Sequence, residues 1–210
     1  MKQKDTKFLV LEDGELVEGV SFGAQKETSG EVVFCTGMVG YPEALTDPSY
    51  RGQILVFTYP LIGNYGVSKS ELRITNHATV TRRGELRIMQ YPFESEKIQV
   101  AGLIVREHCK EYSHPSAKQS LGAWLKHEGI PALEGVDTRA LTEKLRKKGT
   151  MLGRITKDTT KPFELQDPNE RNLVAEVSCK KPIVYKPLKP TSYPPSHKAT
   201  EGRSKGYLTG

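Results

Sequence analysis

Gly30-Glu-Val-Val-Phe-Cys-Thr-Gly-Met-Val-Gly-Tyr-Pro-Glu-Ala-Leu-Thr-Asp-Pro-Ser-Tyr-Arg-Gly-Gln-Ile-Leu-Val-Phe-Thr-Tyr59 is the stretch on which the fold turns. Its first part, residues 30–37, is rich in β-branched and aromatic residues, which fit a pleated surface. Its last part, residues 53–59, is a continuous apolar run, the pattern of a strand buried on both faces. Between them Pro42 suits the first turn of a short helix, where its missing N–H is not needed. Pro48 then pushes Asp47 out of the α region and ends that helix. A strand, a turn-rich connection with one helical turn, and a second buried strand together predict an α/β fold. Connections of this kind are where chemistry is usually held.

Working outward, residues 8–14 read as a strand ending in an Asp-Gly turn, with residues 15–22 returning as its hairpin partner. Residues 100–106 form another apolar strand. Two helices are readable further on. Ser116 with Gln119 three residues later predicts a capping box, with Leu121, Trp124 and Leu125 as the apolar face and Gly129 as the stop. The second helix runs from Asp137 or Thr138 to about Lys148, with Ala140, Leu141 and Leu145 as its stripe and Gly149 at its end. Residues 130–135 and 151–155 complete the pattern as short strands.

Two regions stand apart. Residues 68–97 are polar and mixed, with weak alternation at Leu72, Ile74, Leu86 and Ile88 that would suit a surface hairpin. Residues 180–210 hold five of the 13 prolines and few large apolar groups, a composition that cannot offset its ordering entropy and predicts disorder. That tail also holds the charge. Its seven basic residues against Glu201 account for the whole formal net charge of +6, and the other 179 residues balance 24 basic against 24 acidic. The folded part is therefore neutral, which argues against nucleic acid as the main partner and leaves a basic-tail nucleic-acid binder as an alternative. Three widely spaced cysteines, Cys35, Cys109 and Cys179, give no disulfide framework and no metal knuckle. With no apolar run of membrane-spanning length and no leader-like opening, a cytoplasmic protein with no membrane contact is expected.

Four segments, residues 30–34, 36–50, 59–66 and 135–142, occur in an order and spacing that closely resemble the amino-terminal domain of the carbamoyl-phosphate synthase small subunit, most of all the eukaryotic fused forms. The resemblance covers residues 8–67 and 98–179 and gives the expected organisation. Residues 1–67 and 98–179 form that domain, 68–97 a divergent insertion and 180–210 the basic Pro-rich tail. It implies a swivelling β/β/α fold. It also implies a class I glutamine amidotransferase domain and the synthetase large portion as partners. In the family these make carbamoyl phosphate from glutamine, bicarbonate and two ATP, for pyrimidine or for arginine and urea synthesis. Ser49 matches a family residue that contacts bound glutamine.

The chain is expected to stop before the glutaminase domain, through real variation, an alternative transcript or a reading-frame error, the last two being favoured. No cysteine lies in the family's Gly-x-Cys-x-Gly elbow, and no phosphate-binding loop is present. So no catalytic residue, no metal and no cofactor is expected in this fragment, which should be inactive alone. A regulatory decoy that occupies the synthetase is an alternative reading. Asn64 and Tyr65, in the Gly63–Gly66 turn, and Arg139, in the first turn of the second helix where the dipole disfavours a cation, are the interface candidates. For Ser49 and Asp47 the plainer role is closing a turn. For Asp137 it is capping a helix.

Overall fold

The computed structural model describes residues 5–68, 79–80, 86–87, 93–160 and 167–180. In chain order the strands are β1 (Thr6–Leu11), β2 (Leu16–Ser21), β3 (Thr28–Cys35), β4 (Gln53–Phe57), β5 (Leu61–Ile62), β6 (Val67–Ser68), β7 (Thr79–Val80), β8 (Leu86–Arg87), β9 (Gly102–Ile104), β10 (Glu107–His108), β11 (Ala117–Gln119), β12 (Ala132–Glu134) and β13 (Met151–Thr156). The helices are α1 (Tyr41–Thr46), α2 (Leu121–His127), α3 (Thr138–Lys148) and α4 (Leu173–Val177), with single 3-10 turns at Pro48–Tyr50 and Pro168–Glu170.

Seven strands close into a barrel in the order β1-β13-β3-β4-β9-β12-β2, and β2 returns to β1. The neighbours β3, β4, β9 and β12 run parallel, and the remaining pairs are antiparallel. This is the mixed α/β class expected, with strands dominating. The opening hairpin forms because Gly14, at φ 84°, supplies the left-handed residue its turn needs. Register follows, from Thr6 opposite Val20 to Val10 opposite Leu16.

Alternation along β4 explains its unbroken apolar run. Ile54 and Val56 join one core with Leu9, Leu11, Val32 and Ile155, while Leu55 and Phe57 join a second with Tyr41, Leu45 and Trp124. The first core gathers residues from the barrel strands, and α3 lays Leu141 and Leu145 onto it. Burying those two leucines contributes about 3 to 6 kcal/mol. The second core lies under α1 and α2. Both faces of β4 are thus covered, as in a buried parallel strand.

α3 matches the sequence reading at both ends. Asp137 accepts from the Ala140 N–H at 3.1 Å, and Gly149 receives the chain at φ 92°. Its buried face is Thr138, Leu141, Thr142 and Leu145. Ala140, expected in the stripe, is exposed, because it lies two positions from Thr138 and one from Leu141 and so points off that face. Lys144 bridges Asp13 at 2.6 Å and Glu15, and Lys148 reaches Asp13 at 2.7 Å, fastening α3 to the first hairpin turn. These two lysines hold the Asp13 carboxyl well below the usual carboxylate range.

The start of α2 departs from expectation. Ser116 is not its cap. Residues 117–119 are drawn into β11, which pairs with β6, Ala117 opposite Ser68 and Gln119 opposite Val67. Ser120 is the cap instead, accepting from the Ala123 N–H at 3.3 Å. The exit is as read. Gly129 is left-handed at φ 72°, its N–H bonds Lys126 O and the Ile130 N–H bonds Leu125 O, the paired closure of a Schellman motif.

Within 68–97, β7 pairs antiparallel with β8, so Leu86 is in a ladder, whereas Leu72, Ile74 and Ile88 lie outside the described residues. Phe93 stacks on Trp124 with ring centroids 5.3 Å apart, so the end of this stretch packs on the second core. The described tail ends at Lys180; the disorder expected beyond it lies outside the described residues.

Candidate functional site

The connection from β3 to β4 is built from short pieces, each fixed by a partner distant in sequence. Gly40 begins α1 in the left-handed region, φ 82°, and so has no side chain with which to cap it. The cap comes from elsewhere. The Tyr65 hydroxyl accepts from the Gly40 N–H at 2.8 Å and the Tyr41 N–H at 3.1 Å, two donors that have no partner inside the helix. Tyr41 returns the contact by donating its hydroxyl to Gly66 O at 2.5 Å. The two rings stack with centroids 4.3 Å apart. Burial pushes the Tyr41 phenol far above its usual range, and the neighbouring Tyr65 adds to the shift. Tyr41 therefore stays a donor at every working pH. Burial also raises Tyr65.

The other end of α1 is held from residues 94–99. Thr46 Oγ1 donates to Pro42 O at 2.7 Å and accepts from the Glu94 N–H at 3.0 Å. Ser95 Oγ donates to Thr46 O at 2.6 Å, and the Gln99 N–H bonds Leu45 O at 2.9 Å. Leu45 itself is fully buried.

Asp47 then turns extended, ψ 121°, as a residue before proline must. Its carboxylate accepts from the Ser49 N–H at 2.8 Å and closes an Asx turn, the plainer role expected of it. The hydroxyl of Ser49 is exposed and makes no hydrogen bond among the described residues. Tyr50, next in the chain, turns inward. Burial, and then the Cys35 thiol it faces, raise its phenol. Ser49 thus carries an exposed hydroxyl, without a partner among the described residues, on a turn closed by Asp47 and by Arg51 N–H to Pro48 O. Met38 and Val39, ahead of α1, are 69% and 78% exposed.

The other candidates divide. Asn64 is exposed on the turn closed by Gly66 N–H to Gly63 O at 3.0 Å, and its carbonyl accepts from the Ser113 N–H at 3.1 Å. Tyr65, offered from sequence as an interface residue, spends its hydroxyl and ring on α1. The structure joins Tyr65 to the segment that carries Ser49, and Asn64 to Ser113. Arg139 is not joined to that segment, since α3 packs on the other core. It has a carboxylate partner, but on its own helix: Glu143, one turn on, at 3.5 Å, with the Arg139 side chain 88% exposed.

The turn at Gly63–Gly66 was legible, but the contact between Tyr41 and Gly66 escaped the sequence reading. Their partnership spans 25 residues, and no local pattern marks it. A Cβ on Gly66 would lie 2.7 Å from that of Tyr112, which is why glycine stands there.

The thiols and imidazoles are engaged separately. Cys109 Sγ donates to Glu111 O at 2.8 Å, Cys35 Sγ accepts from the Gly37 N–H at 3.4 Å, and Cys179 is exposed. His108 Nδ1 lies 2.6 Å from Glu134 Oε2, with its ring stacked on Phe22 at 4.1 Å. No group of three or more His, Cys, Asp or Glu residues that could hold a metal occurs among the described residues, and no described helix is long and apolar enough to cross a membrane.

The geometry is that of a mixed barrel with a hydrogen-bonded polar turn at its surface. Comparison with known proteins makes the assignment specific. Residues 9–155 match the family model for the carbamoyl-phosphate synthase small chain, CPSase domain, and the chain belongs to that family. It is 53% identical over 181 residues to the multifunctional protein CAD of Squalus acanthias, 85% of this chain and 8% of that one. It is 48% identical over 204 residues to the multifunctional protein pyr-3 of Neurospora crassa, 88% of this chain and 11% of that one. With the carbamoyl phosphate synthase arginine-specific small chain of Saccharomyces cerevisiae it shares 49% identity over 173 residues, 82% of this chain and 39% of that one. The chain thus spans about a tenth of the multifunctional relatives and about two fifths of the arginine-specific one.

Proposed function

We propose that this domain is the non-catalytic amino-terminal scaffold of a glutamine-dependent carbamoyl-phosphate synthase. In this reading it seats a class I glutamine amidotransferase domain, contacts the synthetase portion, and lends the Ser49 hydroxyl to bound glutamine. It works in the cytoplasm, in pyrimidine or in arginine and urea nitrogen metabolism. The family match over residues 9–155 carries the reading. The geometry supports it at one residue, because a substrate contact needs an available hydroxyl held in a fixed place, and Ser49 offers one. The turn and capping contacts explain why the backbone that carries the hydroxyl stays put. They leave the hydroxyl's own hydrogen-bonding capacity for a ligand.

The test is a chimaeric small chain in which this chain replaces the matching 173-residue stretch of the Saccharomyces cerevisiae arginine-specific relative. The 210-residue chain alone should show no glutamine hydrolysis, and the chimaera should restore it. Ser49→Ala in the chimaera should raise KM for glutamine about three- to tenfold, the loss of one hydrogen bond, with kcat little changed. Glutaminase turnover by the pure chain, or a Ser49→Ala KM equal to that of the parent, rejects the proposal.

A further inference from the structure

Given the role proposed for Ser49, on which this step rests, we infer that Arg51 and Glu176 are positioning residues for it: together they tie the outgoing chain to the turn that presents its hydroxyl. The tie begins with two turns of one design. Asp47-Pro48-Ser49-Tyr50 and Asp167-Pro168-Asn169-Glu170 are each a single 3-10 turn in which the aspartate accepts the N–H two residues on at 2.8 Å. They meet across Gly52. This residue sits at φ 80°, and a Cβ on it would lie 3.0 Å from Pro168 Cβ and 3.9 Å from Leu173 Cδ2. Pro168 and Leu173 therefore pack directly over the backbone two residues beyond Tyr50.

Glu176 stands three residues after Leu173 on α4, on the same helical face. Arg171 grips its carboxylate with both arms of the guanidinium, Nε to Oε1 at 2.9 Å and a terminal nitrogen to Oε2 at 2.6 Å. Arg51 Nε adds a third bond to Oε2 at 3.1 Å, across 125 residues of sequence. Arg51 is also part of the Ser49 turn, since its backbone N–H bonds Pro48 O at 3.1 Å. α4 has only five residues, far too few to be stable as an isolated helix. Its place therefore comes from these contacts, with Asn172 Oδ1 capping the Ala175 N–H at 2.9 Å. Arg171 and then Arg51 hold the Glu176 carboxyl down to about 2, so the tie is charged at neutral pH.

Segment 167–177 and the Ser49 turn thus share one frame. In relatives longer than this chain, whatever follows α4 would be delivered to Ser49 at an angle set by Arg51 and Glu176.

Two measurements test this. In the chimaera, Arg51→Gln and Glu176→Gln should each raise KM for glutamine about two- to fivefold, the size of one partly exposed ion pair. Their kcat should stay within about twofold, and the double variant should exceed Glu176→Gln by little. Arg51→Lys, which keeps the charge, should recover most of the parent KM. In the 210-residue chain, Glu176→Gln should speed hydrogen exchange at residues 172–177 by a similar factor and leave β4 unchanged. If Ser49→Ala raises KM and the Arg51 and Glu176 variants do not, the tie is not a positioning device. Faster exchange with an unchanged KM would mean a purely structural role and also overturns it. An unchanged KM for Ser49→Ala overturns the Ser49 reading instead.

Discussion

Replacing Tyr65 by phenylalanine removes one oxygen and leaves the ring that stacks on Tyr41 at 4.3 Å. What it deletes is the acceptor for two backbone donors, the Gly40 N–H at 2.8 Å and the Tyr41 N–H at 3.1 Å. A typical hydrogen bond contributes about 0.5 to 1.5 kcal/mol net, and a buried donor left unpaired costs more. Tyr41 is 2% exposed, so water reaches its amide poorly. The expected loss is about 1 to 3 kcal/mol, which for a chain of this size lowers Tm by about 2 to 12 °C.

Tyr41→Phe deletes the reciprocal bond to Gly66 O at 2.5 Å and should cost about 1 to 2 kcal/mol. Both hydroxyls tie the same two segments, 40–41 and 65–66. Once one is gone the other should lose part of its purchase, and a double-mutant cycle should show coupling of about 0.5 to 1 kcal/mol. Urea unfolding followed by far-UV circular dichroism gives all four free energies, with unchanged m-values as the sign that the same transition is compared. A Tyr65→Phe value within about 0.3 kcal/mol of the parent, together with additivity in the cycle, would refute the capping argument and mean that water can stand in for the hydroxyl.

Gly30→Ala should be severe, because the added carbon would lie 2.2 Å from the carbonyl oxygen of Gly52, a backbone atom that cannot swing away; a loss of about 3 kcal/mol is expected, and a thermal melt matching the parent would contradict it. Ser120→Ala should cost about 1 kcal/mol as the loss of a helix cap, whereas Ser116→Ala should change stability by under about 0.5 kcal/mol, a contrast read from chemical denaturation and reversed if Ser116 were the cap. Asp13 has a folded-state pKa depressed below its ordinary 3.8 by Lys144 and Lys148. Its contribution is therefore present above the unfolded pKa and lost as pH falls below it. Unfolding free energies of the parent and Asp13→Asn should then differ near neutrality and converge in acid, and parallel curves would show that the lysines do not stabilise the carboxylate.

The parts of the fold that were legible in the sequence are those whose pattern is local. The continuous run at 53–59 announced a strand covered on both faces; the strand is Gln53–Phe57, and Ile54 and Leu55 do enter different cores. The Asp137 cap and the Gly149 stop were readable for the same reason. Ser116 misled because a capping box is a local signal and the outcome was decided elsewhere. Pairing of 117–119 with Val67–Ser68 outweighed it and moved the helix start to Leu121. Ala140 misled by one step of helical phase.

At the site the difference is sharper. Asp47 and Pro48 specify the turn by themselves, so the position of Ser49 in a fixed loop could be read directly. What fixes the loop could not. Its cap comes from Tyr65, its far end is held by Ser95 and Gln99, and the turn itself is tied to Glu176, over separations of 24 to 125 residues. None of these partners is marked by residue type, because a tyrosine, a serine or a glutamate is ordinary anywhere on a surface. A short helix of six residues cannot hold itself, so such supports must exist. The physical consequence is that the placement of the Ser49 turn depends on residues distant from it in sequence. On the role proposed for Ser49, changes at Tyr65, Ser95 or Glu176 should therefore raise KM for glutamine in the chimaera in the same direction as Ser49→Ala, while leaving the serine itself intact.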